Sequence, residues 1–119
     1  MIVIYHNPES TTSKECLKIL ETSKVDHKVI EYQDLTLDEE KLTEIINSLE
    51  IKPIQLVRKE SNVWKNNFQH LLDDGHTFTD NEIIQIMIAY PSTIVRPIVI
   101  DGKKAVIGRP PEVIKKIIM

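Results

Sequence analysis

Apolar positions along the chain change their period several times, and each change marks an element. Residues 2–5, IVIY, are an unbroken β-branched and aromatic run that stops at His6-Asn7-Pro8, the pattern of a buried strand entering a turn. Beyond the turn Ser13, Cys16, Leu17 and Leu20 recur at i, i+3, i+4 and i+7, with Lys14, Lys18 and Glu21 on the wetter side. That spacing predicts an amphipathic helix, capped by Ser10, Thr11 or Thr12, with Cys16 on its inward stripe. A second strand is expected over residues 27–32, HKVIEY, giving an opening β-α-β unit with parallel strands and a right-handed crossover.

The middle of the chain reads as helical. Thr36-Leu37-Asp38-Glu39 fits a capping box ahead of the stripe Leu42, Ile45, Ile46 and Leu49, and Thr79-Asp80-Asn81-Glu82 repeats the device ahead of Ile83, Ile84, Met87 and Ile88. Two shorter helical pieces are expected between them, starting after Pro53 and near Asn62. A strand pattern returns over Thr93 to Ile100, interrupted by Pro97, and again over Lys104 to Ile107, with Asp101-Gly102 between them predicting an antiparallel hairpin. Pro110 and Pro111 then open a last helix whose Val113, Ile114, Ile117 and Ile118 face inward. The order β-α-β, helical stretch, β-β-α predicts an α/β fold with a mixed, thioredoxin-like sheet: one domain over residues 1–119 with a helical insert at about 36–91.

Composition narrows the function classes. At 119 residues, 41% apolar and 28% charged, the chain can bury one core, and 3 Gly and 6 Pro leave little room for a flexible linker. No basic segment precedes the first apolar run and no stretch approaches the roughly 20 apolar residues of a membrane span, so a cytoplasmic protein without membrane contact is expected. A net charge of -3 speaks against nucleic-acid binding. The single cysteine excludes an internal disulfide and a C-x-x-C pair, and no metal site is expected.

The basic residues divide unevenly: of 15, only Arg58, Arg96 and Arg109 are arginine. Each stands beside a structural break, and the planar guanidinium fork matches tetrahedral oxyanions, although three unrelated surface charges would produce the same count. Pro97 follows Arg96 inside an apolar run, where proline fits either a trans edge strand or a cis bond at a strand start. The thioredoxin-like order favours the cis form. It brings the first turn, the helix N-terminus and the strand start near Pro97 to one end of the sheet, where backbone N–H groups suit an anion or a thiolate.

Four segments, YHNPESTTSK, QLVRKE, VRPIVI and IGRPPEVI, resemble those of the glutaredoxin-dependent arsenate reductases, the ArsC family, in the same order along essentially the whole chain. The resemblance implies a thioredoxin-like fold with a helical insert and reduction of arsenate to arsenite with glutathione and glutaredoxin as partners. It implies no bound cofactor, glutathione entering as co-substrate. The family turn reads H-N-P-x-C-x-x-S-R; here His6, Asn7, Pro8 and Ser13 match, Lys14 replaces the arginine, and Ser10 stands where the reactive cysteine belongs. Arg58, Arg96 and Arg109 fall on the family's oxyanion-binding positions and are expected to converge near Ser10, on arsenate, phosphate or sulfate.

Ser10 changes what that site can do. A hydroxyl cannot form a disulfide or carry two electrons, and Glu9 beside the helix start opposes an incoming dianion. Cys16 lies six residues further on, roughly 9 Å along a helix axis, and is expected to be a buried structural thiol. His6, which supports the thiolate in the family, is left to bond Ser10, to assist an anion, or to end the strand; Lys14 reads as a solvated charge. The expectation is an oxyanion-binding member with arsenate reduction impaired or lost. The alternatives are reduction by a modified route through Cys16 or bound glutathione, and a regulatory protein similar to the Spx regulators, whose usual C-x-x-C is missing here. The C-x5-R loop of the phosphatase-like arsenate reductases is also missing.

Overall fold

The N-terminal apolar run forms the strand around which the rest of its sheet is ordered. The computed structural model describes residues 2–31 and 37–118, and the chain divides into two units, residues 1–35 with 96–119, and residues 36–95. In the first unit β1 (Ile2–His6) lies between β2 (His27–Glu31) and β3 (Ile98–Asp101), with β4 (Lys104–Ile107) beyond, in the order β2-β1-β3-β4. β1 and β2 are parallel, joined by α1 (Thr11–Thr22); β1 with β3 and β3 with β4 are antiparallel. Gly102 heads the two-residue β3–β4 turn at φ 61, a backbone value that glycine adopts without a Cβ penalty.

One face of this sheet carries the first unit's core. Ile2 and Ile4 of β1, Val99 of β3, and Cys16 and Leu20 of α1 pack with Ile114 and Ile117 of the C-terminal segment. That segment is a 3-10 turn, Pro111–Ile114, running into α6 (Lys115–Ile118). Ile4, Cys16, Leu20, Val99 and Ile114 are fully buried. Each large aliphatic side chain so placed contributes roughly 1.5–3 kcal/mol from burial, against the entropy of ordering it.

The second unit is helical: α2 (Glu39–Leu49), a 3-10 turn at Pro53–Leu56, α3 (Asn62–Asn67), α4 (Gln69–Asp73), α5 (Asp80–Ala89) and a 3-10 turn at Pro91–Thr93. Its interior holds Leu42, Ile45 and Ile46 from α2, Ile83 and Met87 from α5, and the fully buried Trp64, whose Nε1–H donates to Gln69 Oε1 at 2.8 Å. An isolated bridge pairs Val57 with Ile94, and the Arg58 N–H donates to the Thr93 carbonyl at 2.7 Å. Among the described residues no helix is long and apolar enough to cross a membrane.

Two boundaries differ from the sequence reading. Tyr32 and Thr36, the expected strand end and cap, lie outside the described residues; α2 is capped by Asp38, whose side chain accepts the Lys41 N–H at 2.7 Å. The expected strand from Thr93 also starts late. Thr93 ends a 3-10 turn and β3 begins only at Ile98, because Pro97 has no N–H for a ladder, while the Val95 N–H is given to Leu56 O at 2.9 Å.

Gly108, just after β4, closes the first unit's core. A Cβ there would stand 2.5 Å from Cys16 Sγ, 2.9 Å from Pro97 Cγ and 3.4 Å from Ile114 Cγ2. We therefore expect Gly108→Ala to lower unfolding stability by about 1–3 kcal/mol, measured in urea, and Cys16→Ala in the same chain to restore only part of the loss, since the proline contact remains.

Candidate functional site

The turn between β1 and α1 is tied by short-range bonds that its own residues supply. Asn7 Oδ1 accepts the Glu9 N–H at 3.0 Å and the Asn7 carbonyl accepts the Ser10 N–H at 3.0 Å, which folds the chain back before the helix starts. Ser10 is the N-cap: its side chain accepts the Ser13 N–H at 3.3 Å and its carbonyl accepts the Lys14 N–H at 3.0 Å. The first turn of α1 contains no acidic residue, so no carboxylate within it offsets the positive helix end. Glu9 and Lys14 are exposed.

Ser13, rather than Ser10, is the partner of His6. The two side chains are buried, with Ser13 Oγ 2.7 Å from His6 Nδ1 and accepting the Asn7 N–H at 3.0 Å. A hydroxyl has one proton to give, and with its oxygen already accepting from Asn7 it can give that proton to Nδ1, leaving the ring proton on Nε2. Burial lowers the His6 pKa, as does Lys14, while Glu31 and the Ser13 backbone act in the opposite direction. The ring is thus held as neutral imidazole, committed to a strand-to-helix clasp.

Two of the three arginines are linked directly. The Arg96–Pro97 and Arg109–Pro110 peptides are both cis, and Arg109 donates through Nε to the Arg96 carbonyl at 2.9 Å. One residue along, the Gly108 N–H donates to the Pro97 carbonyl at 2.9 Å. These bonds fix both Arg-Pro steps against each other, with Arg96 buried and Arg109 exposed. Arg58 belongs to the second unit, at the Val57–Ile94 bridge, where its Nε lies 3.7 Å from Glu60 Oε1. Among the described residues no group of three His, Cys, Asp or Glu side chains could hold a metal ion.

Cys16, the chain's sole thiol, has no exposed surface and donates to the Gly108 carbonyl at 3.3 Å. Burial pushes its pKa up to about 11, with Glu15 and Glu112 adding to the rise and Arg109 opposing it. A thiol in that state is a core group, not a nucleophile.

Sequence reasoning did not find three features of this region. The second cis bond, Arg109–Pro110, lies where Pro110 reads only as a helix start, outside any strand pattern that would single it out. Gly108 carried no motif, since the need for a missing side chain arises only when α1, Pro97 and Ile114 meet. The His6–Ser13 bond spans the turn and depends on its closed geometry.

Comparison with known proteins places these features in context. The sequence pattern of the ArsC family matches residues 5–117. An arsenate reductase of Haemophilus influenzae is 31% identical over 118 residues, covering 98% of this chain and 98% of the relative. An uncharacterized Escherichia coli protein, YfgD, is 31% identical over 98% of this chain and 96% of its own length. The solved structure of a putative arsenate reductase from Yersinia pestis superposes with a TM-score of 0.85 at 32% identity, covering 98% of this chain and 99% of that one.

Two outcomes follow from the buried hydroxyl and thiol. Ser13→Ala strands the His6 ring and the Asn7 N–H, and should cost about 1–3 kcal/mol in denaturant unfolding while shifting the imidazole nitrogen resonances of His6. Cys16 should react with thiol reagents only as fast as the chain opens. Because its folded pKa is raised from 9.0 to about 11, the unfolded chain loses the proton first, so stability is full below about pH 9 and falls as pH rises toward 11. Cys16→Ala should flatten that slope in pH-resolved unfolding.

Proposed function

We propose that this chain, which belongs to the ArsC family, binds a small oxyanion through family arginine positions and lacks the thiol step of arsenate reduction. The observation that carries the reading is the state of its sulfur: the sole thiol, Cys16, is fully buried and held protonated, while the resemblance puts Ser10 where the family has its cysteine. In the cycle that the resemblance implies, a thiolate attacks arsenic, glutathione attacks the adduct, and glutaredoxin resolves a mixed disulfide. Each of those steps needs sulfur at the turn, and a serine oxygen forms no disulfide. The bond from His6 to Ser13 also removes the nearest imidazole from the task of activating Ser10.

Anion binding rests on separate support. Arg109, which is exposed, is oriented through its Nε bond to the Arg96 carbonyl, so the two Arg-Pro turns that carry these arginines are linked. Arg58, in the second unit, falls by the resemblance on a third family position. Arsenate, phosphate and sulfate share the tetrahedral oxygen array that such groups recognise. Glu9 adds like charge beside the helix start, so affinity below that of a cysteine-bearing member is part of the reading.

The test is arsenate-dependent NADPH consumption in a system of glutathione, glutaredoxin and glutathione reductase. We expect no turnover above background for the natural sequence and measurable turnover for Ser10→Cys, with Arg109→Ala abolishing the gain. Turnover by the natural sequence would overturn the proposal and direct attention to Cys16.

A further inference from the structure

Charge is segregated along this chain in a way the oxyanion site does not use. No Lys or Arg occurs between Lys65 and Arg96, so all 15 basic residues lie outside a stretch that contains Asp73, Asp74, Asp80 and Glu82. These carboxylates are exposed. The same stretch carries an aromatic row in the second unit, with the Phe68 ring centroid 6.4 Å from Phe78 and 6.0 Å from Tyr90. Tyr90 is 47% exposed, one of two exposed large hydrophobic residues among those described. A pocket of about 210 Å³ opens among Ile54, Leu72, Thr77, Phe78, Asp80 and Ile83, apolar apart from Thr77 and the Asp80 carboxylate.

We propose that this face docks a basic segment of a partner protein, an apolar side chain or long alkyl stem filling the pocket while neighbouring Lys or Arg groups pair with Asp80 and the adjoining carboxylates. The chemistry selects that partner over the others. An anionic ligand, nucleic acid or acidic lipid surface would be repelled by a stretch with no fixed positive charge. A second copy meeting through the same face would set like charges against each other. A wholly apolar partner would cover Asp80 without pairing it, at the cost of a desolvated carboxylate. A Lys or Arg side chain answers both features, since its stem covers apolar surface while its head reaches a carboxylate or an aromatic face. The surface uses none of the residues assigned to the oxyanion site, so the two proposals stand or fall separately.

The test uses the full chain and a fluorescent peptide of alternating lysine and leucine pairs, followed by anisotropy, with two control peptides carrying glutamate for lysine or serine for leucine. Thr77→Trp fills the pocket from an exposed position, and Asp80→Asn removes its charge. We expect the lysine-leucine peptide alone to bind, its affinity to fall with added salt, and each variant to weaken it by about threefold to tenfold. Should Thr77→Trp fail to fold, Thr77→Arg sets a like charge at the pocket mouth and is expected to cause the same loss. Absence of binding at about 1 mM peptide, or equal binding by the serine control or by the pocket variant, would overturn the proposal and leave only diffuse charge attraction.

Discussion

The first unit depends on a side chain that is absent. At Gly108 the backbone leaving β4 passes so close to α1 and Pro97 that a methyl group would enter the space of both and touch Ile114. Because nothing projects there, the helix thiol can reach the Gly108 carbonyl, and the Gly108 N–H can reach the Pro97 carbonyl. The two Arg-Pro steps are consequently held in register, with Arg109 bonded to the carbonyl of Arg96. Close packing of this kind transmits position: displacing the helix, the strand start or the C-terminal turn displaces the others.

Within that frame two serines of one helix turn have different work. Ser10 supplies the cap that starts α1, and Ser13, one turn into the fold, joins His6 to the Asn7 backbone. A cap needs only an acceptor oxygen, and Ser10 supplies it at the start of α1. The structural duty at position 10 is therefore met by a hydroxyl.

The second unit follows a different logic. Its apolar stripes close a helical interior around Trp64, Leu42 and Met87, while its later half gathers carboxylates and aromatic surface without a single fixed positive charge. Part of that distribution serves the fold, since Glu82 accepts the Thr79 N–H at 2.9 Å and stands with Asp80 in the first turn of α5, where negative charge suits the helix dipole. The exposed carboxylates left over are the groups that the proposed basic partner would pair.

Local pattern settled much of this protein. The strand IVIY, the stripe through Cys16 and Leu20, the Thr79-Glu82 capping box and the Asp101-Gly102 turn were legible because each depends on neighbours within a few residues. The α/β order and the family likeness were legible for the same reason. The late start of β3 after Pro97 and the partner of His6 were not, since a proline's effect on pairing and a bond across seven positions both depend on where the chain returns. Above all, the sequence determined that one thiol exists, and only tertiary packing decided that it is inert. A cysteine's reactivity is set by the water and charge around it, and those are supplied by Gly108, Ile114 and the sheet, which meet Cys16 only after folding.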